Sequence, residues 1–221
     1  MDLTAVTLPA AWSAVGWAFA FALLPAAARV APWQRFAASE PVHVWYGAIF
    51  GVIALWSIQA TVGEGFTFHL LGVAAFTLLA GAPLALAGTA IAVAVNVAVR
   101  SGIWANAALA WLTMAAIPVG TTWVVLRLAE RALPAHFFVY IFVVTFFGAA
   151  LSLVAAGVAG AAVLTLAAGL PAELVFGEYV PYLLYLAFGE ATLTGMVLTL
   201  AVAYRPQWVA TFDDARYLEG R

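Results

Sequence analysis

A chain of 221 residues in which 67 % are hydrophobic and 8 % charged stands far from soluble domains, which carry roughly 45–50 % apolar and about 25 % charged residues. At a mean hydropathy of +1.07 it has too little polar surface to cover a water-exposed core; a soluble globule is excluded and a polytopic membrane protein remains. Eight arginines against ten acids leave a net charge of −2 and no lysine or cysteine, which excludes a basic nucleic-acid footprint, disulfides, thiolate metal sites and thiol catalysis.

A membrane-spanning helix needs about 20 apolar residues. The expected fold is an all-α helical bundle of about seven transmembrane helices, in one membrane domain covering residues 1–203. The first two spans fall near 11–30 and 42–62. The first is not read as a signal peptide, because the segment before it holds Asp2 and no basic residue. The apolar run from 68 to 99 is too long for one crossing and is interrupted at Gly81-Ala82-Pro83. Proline removes a backbone donor and clashes with the preceding turn, so a reversal is expected there, with short spans near 68–81 and 83–99. A span near 103–120 precedes a charged connector holding Arg127, Glu130 and Arg131. A long span near 137–166 and a final one near 181–203 follow, and residues 204–221 read as a mobile cytoplasmic tail.

The arginines test this count, since basic residues gather in short cytoplasmic loops. Seven spans with an external N-terminus place seven arginines inside and only Arg100 outside; merging 68–99 into one span places three inside and five outside. The expected location is therefore the bacterial inner membrane, multi-pass, N-terminus outside and C-terminus inside. Trp33, Trp45, Trp104 and Trp208 sit near expected span ends, as interface anchors do.

Among so few polar residues, those near the membrane are informative, because a buried charge there needs a cavity or a partner. Glu190 lies midway along the last span, and Thr194 lies one helical turn beyond it on the same face. The pair reads either as a polar membrane site, lining a substrate path or orienting a ligand, or as an interhelical hydrogen bond that locks the bundle. His69 is the only histidine expected at the outer end of a span, with Glu64 just before it. Imidazole suits transition metals and a carboxylate can ligate or orient it; an interfacial histidine satisfied by backbone is the alternative. His43 and His136 read as helix-start residues at the inner interface. Asp213 and Asp214 read as turn caps or partners of a base, and Asn96 and Asn106 as groups that satisfy helix ends. No phosphate-cradling loop, nucleophile elbow or paired-histidine motif is present, so no enzyme and no catalytic residue is expected.

His69-Leu70-Leu71-Gly72, Gly81-Ala82-Pro83, Ser101-Gly102-Ile103 and Met114-Ala115-Ala116-Ile117-Pro118 occur in the order used by the CbiM/NikM family, the substrate-capturing permeases of energy-coupling-factor transporters for cobalt and nickel. Gly189-Glu190-Ala191-Thr192-Leu193-Thr194-Gly195 resembles that family's glycine–glutamate–threonine signature. The resemblance covers roughly residues 63–203, and the ending 204–214 looks like a proteobacterial branch of the family.

The resemblance implies a metal ion as cargo rather than a bound cofactor. It also implies the lipid bilayer, a coupling transmembrane subunit and ATPases as partners. In that family the ion is held by the N-terminal amine, by the backbone nitrogen and imidazole of a histidine at position two, and by a histidine in a membrane motif. His69 matches the last. The chain starts Met1-Asp2-Leu3 with no histidine before His43, so the first chelate is not expected, and the family's buried asparagine, expected near Leu109, is missing. The expected function is a substrate-binding membrane subunit of such an importer, with a cobalt- or nickel-like ion as substrate. The alternative is an accessory or assembly factor on the same scaffold without metal transport.

Overall fold

The computed structural model describes residues 3–37, 39–62 and 66–217. Among the described residues eight helices form one bundle: α1 (Ala10–Val30), α2 (Ser39–Ser57), α3 (Val73–Ala80), α4 (Ala82–Val99), α5 (Trp104–Ala132), α6 (Val139–Leu166), α7 (Ala172–Tyr204) and the short α8 (Asp214–Tyr217). An all-α membrane bundle is what the composition requires. Five of the helices, α1, α4, α5, α6 and α7, are long and apolar enough to cross a bilayer. The nineteen-residue α2 opens on Glu40 and His43, and α3 has only eight residues.

The expected second span stops at Ser57, and the chain then makes a two-stranded antiparallel hairpin, β1 (Ala60–Val62) with β2 (Phe66–Phe68), pairing Thr61 with Thr67. After β2 the chain is non-helical from His69 to Gly72, and α3 begins only at Val73. The expected 68–81 helix is thus part strand end and irregular chain and part helix. At about 1.5 Å per residue, α3 is roughly 12 Å long, well short of the ~30 Å hydrocarbon layer. Seven of its eight residues are buried, and it touches α2, α4, α5, α6 and α7. The expected reversal at Gly81 is present, for the Phe76 ring lies against Gly88 of α4.

Burial on α1 falls on Ser13, Gly16, Ala20 and Ala27, a single face that meets α4 and α5. Gly16 permits the approach: a methyl there would stand 2.6 Å from the Leu109 backbone nitrogen. No side chain fits between the two helices at that level. One turn earlier Asn106, 1 % exposed, bonds Ser13 Oγ (2.7 Å) and the Leu3 and Val6 carbonyls. Asn106 therefore ties down the N-terminal segment rather than a helix end.

Three further expectations change. The charged connector after residue 120 is the continuation of α5, on which Arg127 pairs with Glu130 (2.9 Å) and lies over the Trp123 ring. The helix ends at Ala132, with Leu133 extended before Pro134. The last helix starts at Ala172, and a π-helical turn, Val175–Tyr179, leads into Pro181, whose missing N–H the widened turn tolerates. Trp45 is no interface anchor; it is buried and donates to the Leu84 carbonyl (2.9 Å), while Trp33, Trp104 and Trp208 are exposed.

The tail is packed, not mobile, through Tyr217. Val209, Phe212 and Tyr217 are buried with Leu126, Tyr140 and Leu198. Ala210 N–H donates to the Leu79 carbonyl, and Thr211 Oγ1 to the Leu78 carbonyl (2.9 Å). These are carbonyls of the last turn of α3, which has no helical continuation to satisfy them. Arg216 bonds Glu130 at 3.5 Å and its carbonyl at 3.0 Å, and burial pushes the Tyr217 phenol above its ordinary pKa.

Candidate functional site

His69 is the first residue after β2, and only 5 % of it is exposed. Its Nδ1 lies 3.1 Å from the Leu70 carbonyl. A carbonyl can only accept, so Nδ1 carries the proton and Nε2 holds the lone pair. Nε2 is buried without a hydrogen-bond partner. The imidazole lines a cavity of about 30 Å³ together with Phe68, Thr113, Met114, Gly157 and Tyr179, room for an ion or one or two water-sized groups. The Trp56 ring stands 5.9 Å from the imidazole, and Phe68, on the cavity wall, stacks on Tyr179 at 5.2 Å.

The backbone after His69 has every described polar group assigned except the Leu70 N–H. His69 Nδ1 donates to the Leu70 carbonyl, Trp56 Nε1 to that of Leu71 (3.0 Å), and Phe76 N–H to that of Gly72. Leu71 N–H donates to Glu190 Oε2 (2.8 Å) and Gly72 N–H to Oε1 (2.7 Å). Glu190 is fully buried on α7. Non-helical backbone at membrane depth survives only where the protein itself satisfies it, and here one carboxylate from a distant helix does so. Gly72 allows the turn, at φ +66°, where a side chain would be strained and would meet Leu55.

Glu190 thus ties α7 to the backbone between His69 and α3, the segment that carries the imidazole. Thr194 is buried on the same face of α7, as its spacing implies, but its hydroxyl has no hydrogen-bond partner and takes no part in this network. Glu64 and Asp2 lie outside the described residues. His136 Nδ1 accepts the Phe138 N–H at the start of α6, and Asp213 Oδ1 accepts the Ala215 N–H at the start of α8; both are helix-start groups, and the Asp214 side chain lies outside the described residues. Among the described residues no three of His, Cys, Asp and Glu gather as a metal cluster.

Sequence reasoning missed Thr113, Met114 and Tyr179 as cavity residues. They sit on π-helical turns, Leu112–Ala116 in α5 and Val175–Tyr179 in α7. Such turns leave no mark in hydrophobic spacing, yet recur at functional sites.

Fold and site together define a multi-pass membrane protein with a small cavity lined by a buried histidine whose Nε2 has no hydrogen-bond partner. The chain belongs to the CbiM family: the model of the family, described as the cobalt uptake substrate-specific transmembrane region, matches residues 3–208. The match begins well before the motifs that carry the resemblance, so the N-terminal segment held by Asn106 belongs to the family's extent. The fold is similar to a crystal structure described as a truncated transition metal transporter, with a TM-score of 0.77, 16 % identity, and coverage of 89 % of this chain and 96 % of that one. No curated protein matches the chain. Both descriptions concern uptake or transport rather than catalysis.

Proposed function

We propose that this chain is the substrate-capturing membrane subunit of an energy-coupling-factor importer for a transition-metal ion of the cobalt and nickel class. One observation carries the reading: a nine-tenths-buried imidazole that lines an ion-sized cavity and whose Nε2 has no hydrogen-bond partner, in a CbiM-family bundle. Neutral imidazole is a good ligand for these ions. The descriptions of the family and of the structural neighbour support the substrate class. In this reading His69 is a ligand, and Glu190 acts on the ion only through His69, by holding the backbone that bears it. Glu64, five residues earlier in the sequence, is proposed as an oxygen donor. In this reading the protein crosses the bacterial inner membrane seven times, the third crossing made by the non-helical chain after β2 together with α3 rather than by α3 alone, and it works with a coupling transmembrane subunit and ATPases.

Calorimetric titration of the detergent-purified protein with nickel and cobalt tests the proposal. The parent is expected to bind, and His69→Ala to lose at least tenfold in affinity while keeping the parent's helical content and melting profile. Equal binding by the folded variant, or no binding by the parent, overturns it.

A further inference from the structure

Helices α2 and α7 both pack on the short α3, and between them runs an apolar groove of about 1020 Å³ that α3 also lines. Small-molecule sites span about 300–1,000 Å³, so this groove has room for a large ligand. Gly47, Gly51 and Ala54 line it from α2, and Leu193, Val197 and Leu200 from α7. A methyl added at Gly47 or Gly51 would meet nothing within 4 Å, so glycine here leaves space that a larger side chain would take. The polar residues of the groove lie at one end, where the start of α2 meets the chain after α7. Glu40, His43 and Arg205 line it there, beside exposed Tyr204 and Trp208. Trp208 also lines a smaller adjoining cavity that holds Arg35 and Gln207, so two arginines border the same mouth. Among the described residues neither guanidinium has a hydrogen bond or ion pair, whereas Arg127 and Arg216 are both paired with Glu130.

We propose that this groove seats one anionic phospholipid of the bilayer, its phosphate held by Arg35 and Arg205 and its acyl chains lying along α3. The guanidinium fork matches phosphate oxygens, and basic pockets between membrane helices on the cytoplasmic side take anionic headgroups. Glu40 offsets one of the two positive charges and leaves the mouth net positive. Tyr204 and Trp208 mark the headgroup level, where such aromatic rings collect. A partner's membrane helix would need an acid at that level to meet the arginines; a phospholipid brings its phosphate there by its own geometry. The occupant completes a wall that an eight-residue helix is too short to build. Gly72, whose N–H is held by Glu190, lines the groove as well, so the lipid packs on the end of the segment that carries His69. None of this depends on which ion the protein takes up.

Native mass spectrometry of the detergent-purified protein tests this, with titrations of phosphatidylglycerol and, separately, of phosphatidylcholine with the same acyl chains. The parent is expected to take one phosphatidylglycerol at least tenfold more tightly than phosphatidylcholine. Arg35→Gln combined with Arg205→Gln is expected to weaken phosphatidylglycerol about thirtyfold, about fivefold per arginine, and to move phosphatidylcholine less than twofold. Gly51→Leu, whose side chain enters the open groove, is expected to weaken both lipids while keeping the parent's helical content. The thermal midpoint of the unsubstituted protein is expected to rise with phosphatidylglycerol and not with phosphatidylcholine, which keeps the test independent of any variant that misfolds. Equal binding or equal stabilisation by the two lipids overturns the proposal, as does phosphatidylglycerol binding that ignores the folded arginine double variant or folded Gly51→Leu. A parent that excludes lipid and retains instead a polypeptide that Gly51→Leu releases gives the groove to a helix and also overturns it. No metal enters these assays, so their failure leaves the proposed capture of an ion standing, and the loss of that capture leaves the lipid site standing.

Discussion

At the residue scale Glu190 decides most. Both its oxygens accept a backbone N–H, and those two N–H groups belong to the chain between His69 and α3. Glu190→Gln keeps one acceptor but turns the other oxygen into an amide donor facing a donor, so one N–H loses its partner. Glu190→Leu leaves both without one. A buried unsatisfied group costs about 1–3 kcal/mol. Glu190→Gln is expected to lose about 1–3 kcal/mol and Glu190→Leu about 2–5 kcal/mol, seen as successive drops in the thermal midpoint of the solubilised protein. Metal affinity is expected to fall in the same order, because the imidazole rides on the segment that loosens. Equal melting of both variants with the parent removes Glu190 from the account of how His69 is held.

At the element scale the instructive piece is α3. It is too short to span, and packing alone does not explain why it stops where it does: one end is terminated by Glu190 and the other by the tail, through Ala210 and Thr211. The run His69-Leu70-Leu71-Gly72 is apolar and reads as the start of a helix; what unwinds it is a carboxylate 118 residues along the chain. Local pattern cannot show that. Glu190 was legible as a buried acid and His69 as the odd histidine, but their connection through backbone was not. The tail was misread for a related reason: Val209, Phe212 and Tyr217 are scattered among polar residues with no helical or strand spacing, and their burial depends on the end of α3 that they cover. Thr211 gives a direct test, since its hydroxyl links the Tyr140 hydroxyl (2.7 Å) to the Leu78 carbonyl. Thr211→Val keeps the shape and removes both bonds. It is expected to destabilise the protein by about 1–3 kcal/mol and to raise proteolytic cleavage between residues 205 and 217. A tail as resistant as the parent's would show that the contact does not hold it.

At the scale of the whole molecule, the two ends of the bundle differ in charge. Arg35 shares a small cavity with Leu84, Gln207 and Trp208, and Arg216 is bonded to Glu130 beside Arg127, so these arginines gather where α3, α5 and α7 finish. Arg100 stands at the other end, bonded to Gln59 after α2, next to the N-terminal segment whose Thr4 carbonyl accepts the Ile103 N–H. Basic residues concentrate on the cytoplasmic side, so the Arg100 end is expected to face outward and the tail inward, as an odd number of crossings requires. Because the chain contains no cysteine, single substitutions report position without background. Ser101 and Ala215 are both exposed, one at each end. In intact cells a membrane-impermeant maleimide is expected to label Ser101→Cys and to spare Ala215→Cys, which should react only after the membrane is opened. Labelling of both in intact cells would place the two ends on one side and break the seven-crossing path. The reverse pattern would keep the path and invert the protein, turning the hairpin and His69 toward the cytoplasm, where capture of an ion for import makes no sense.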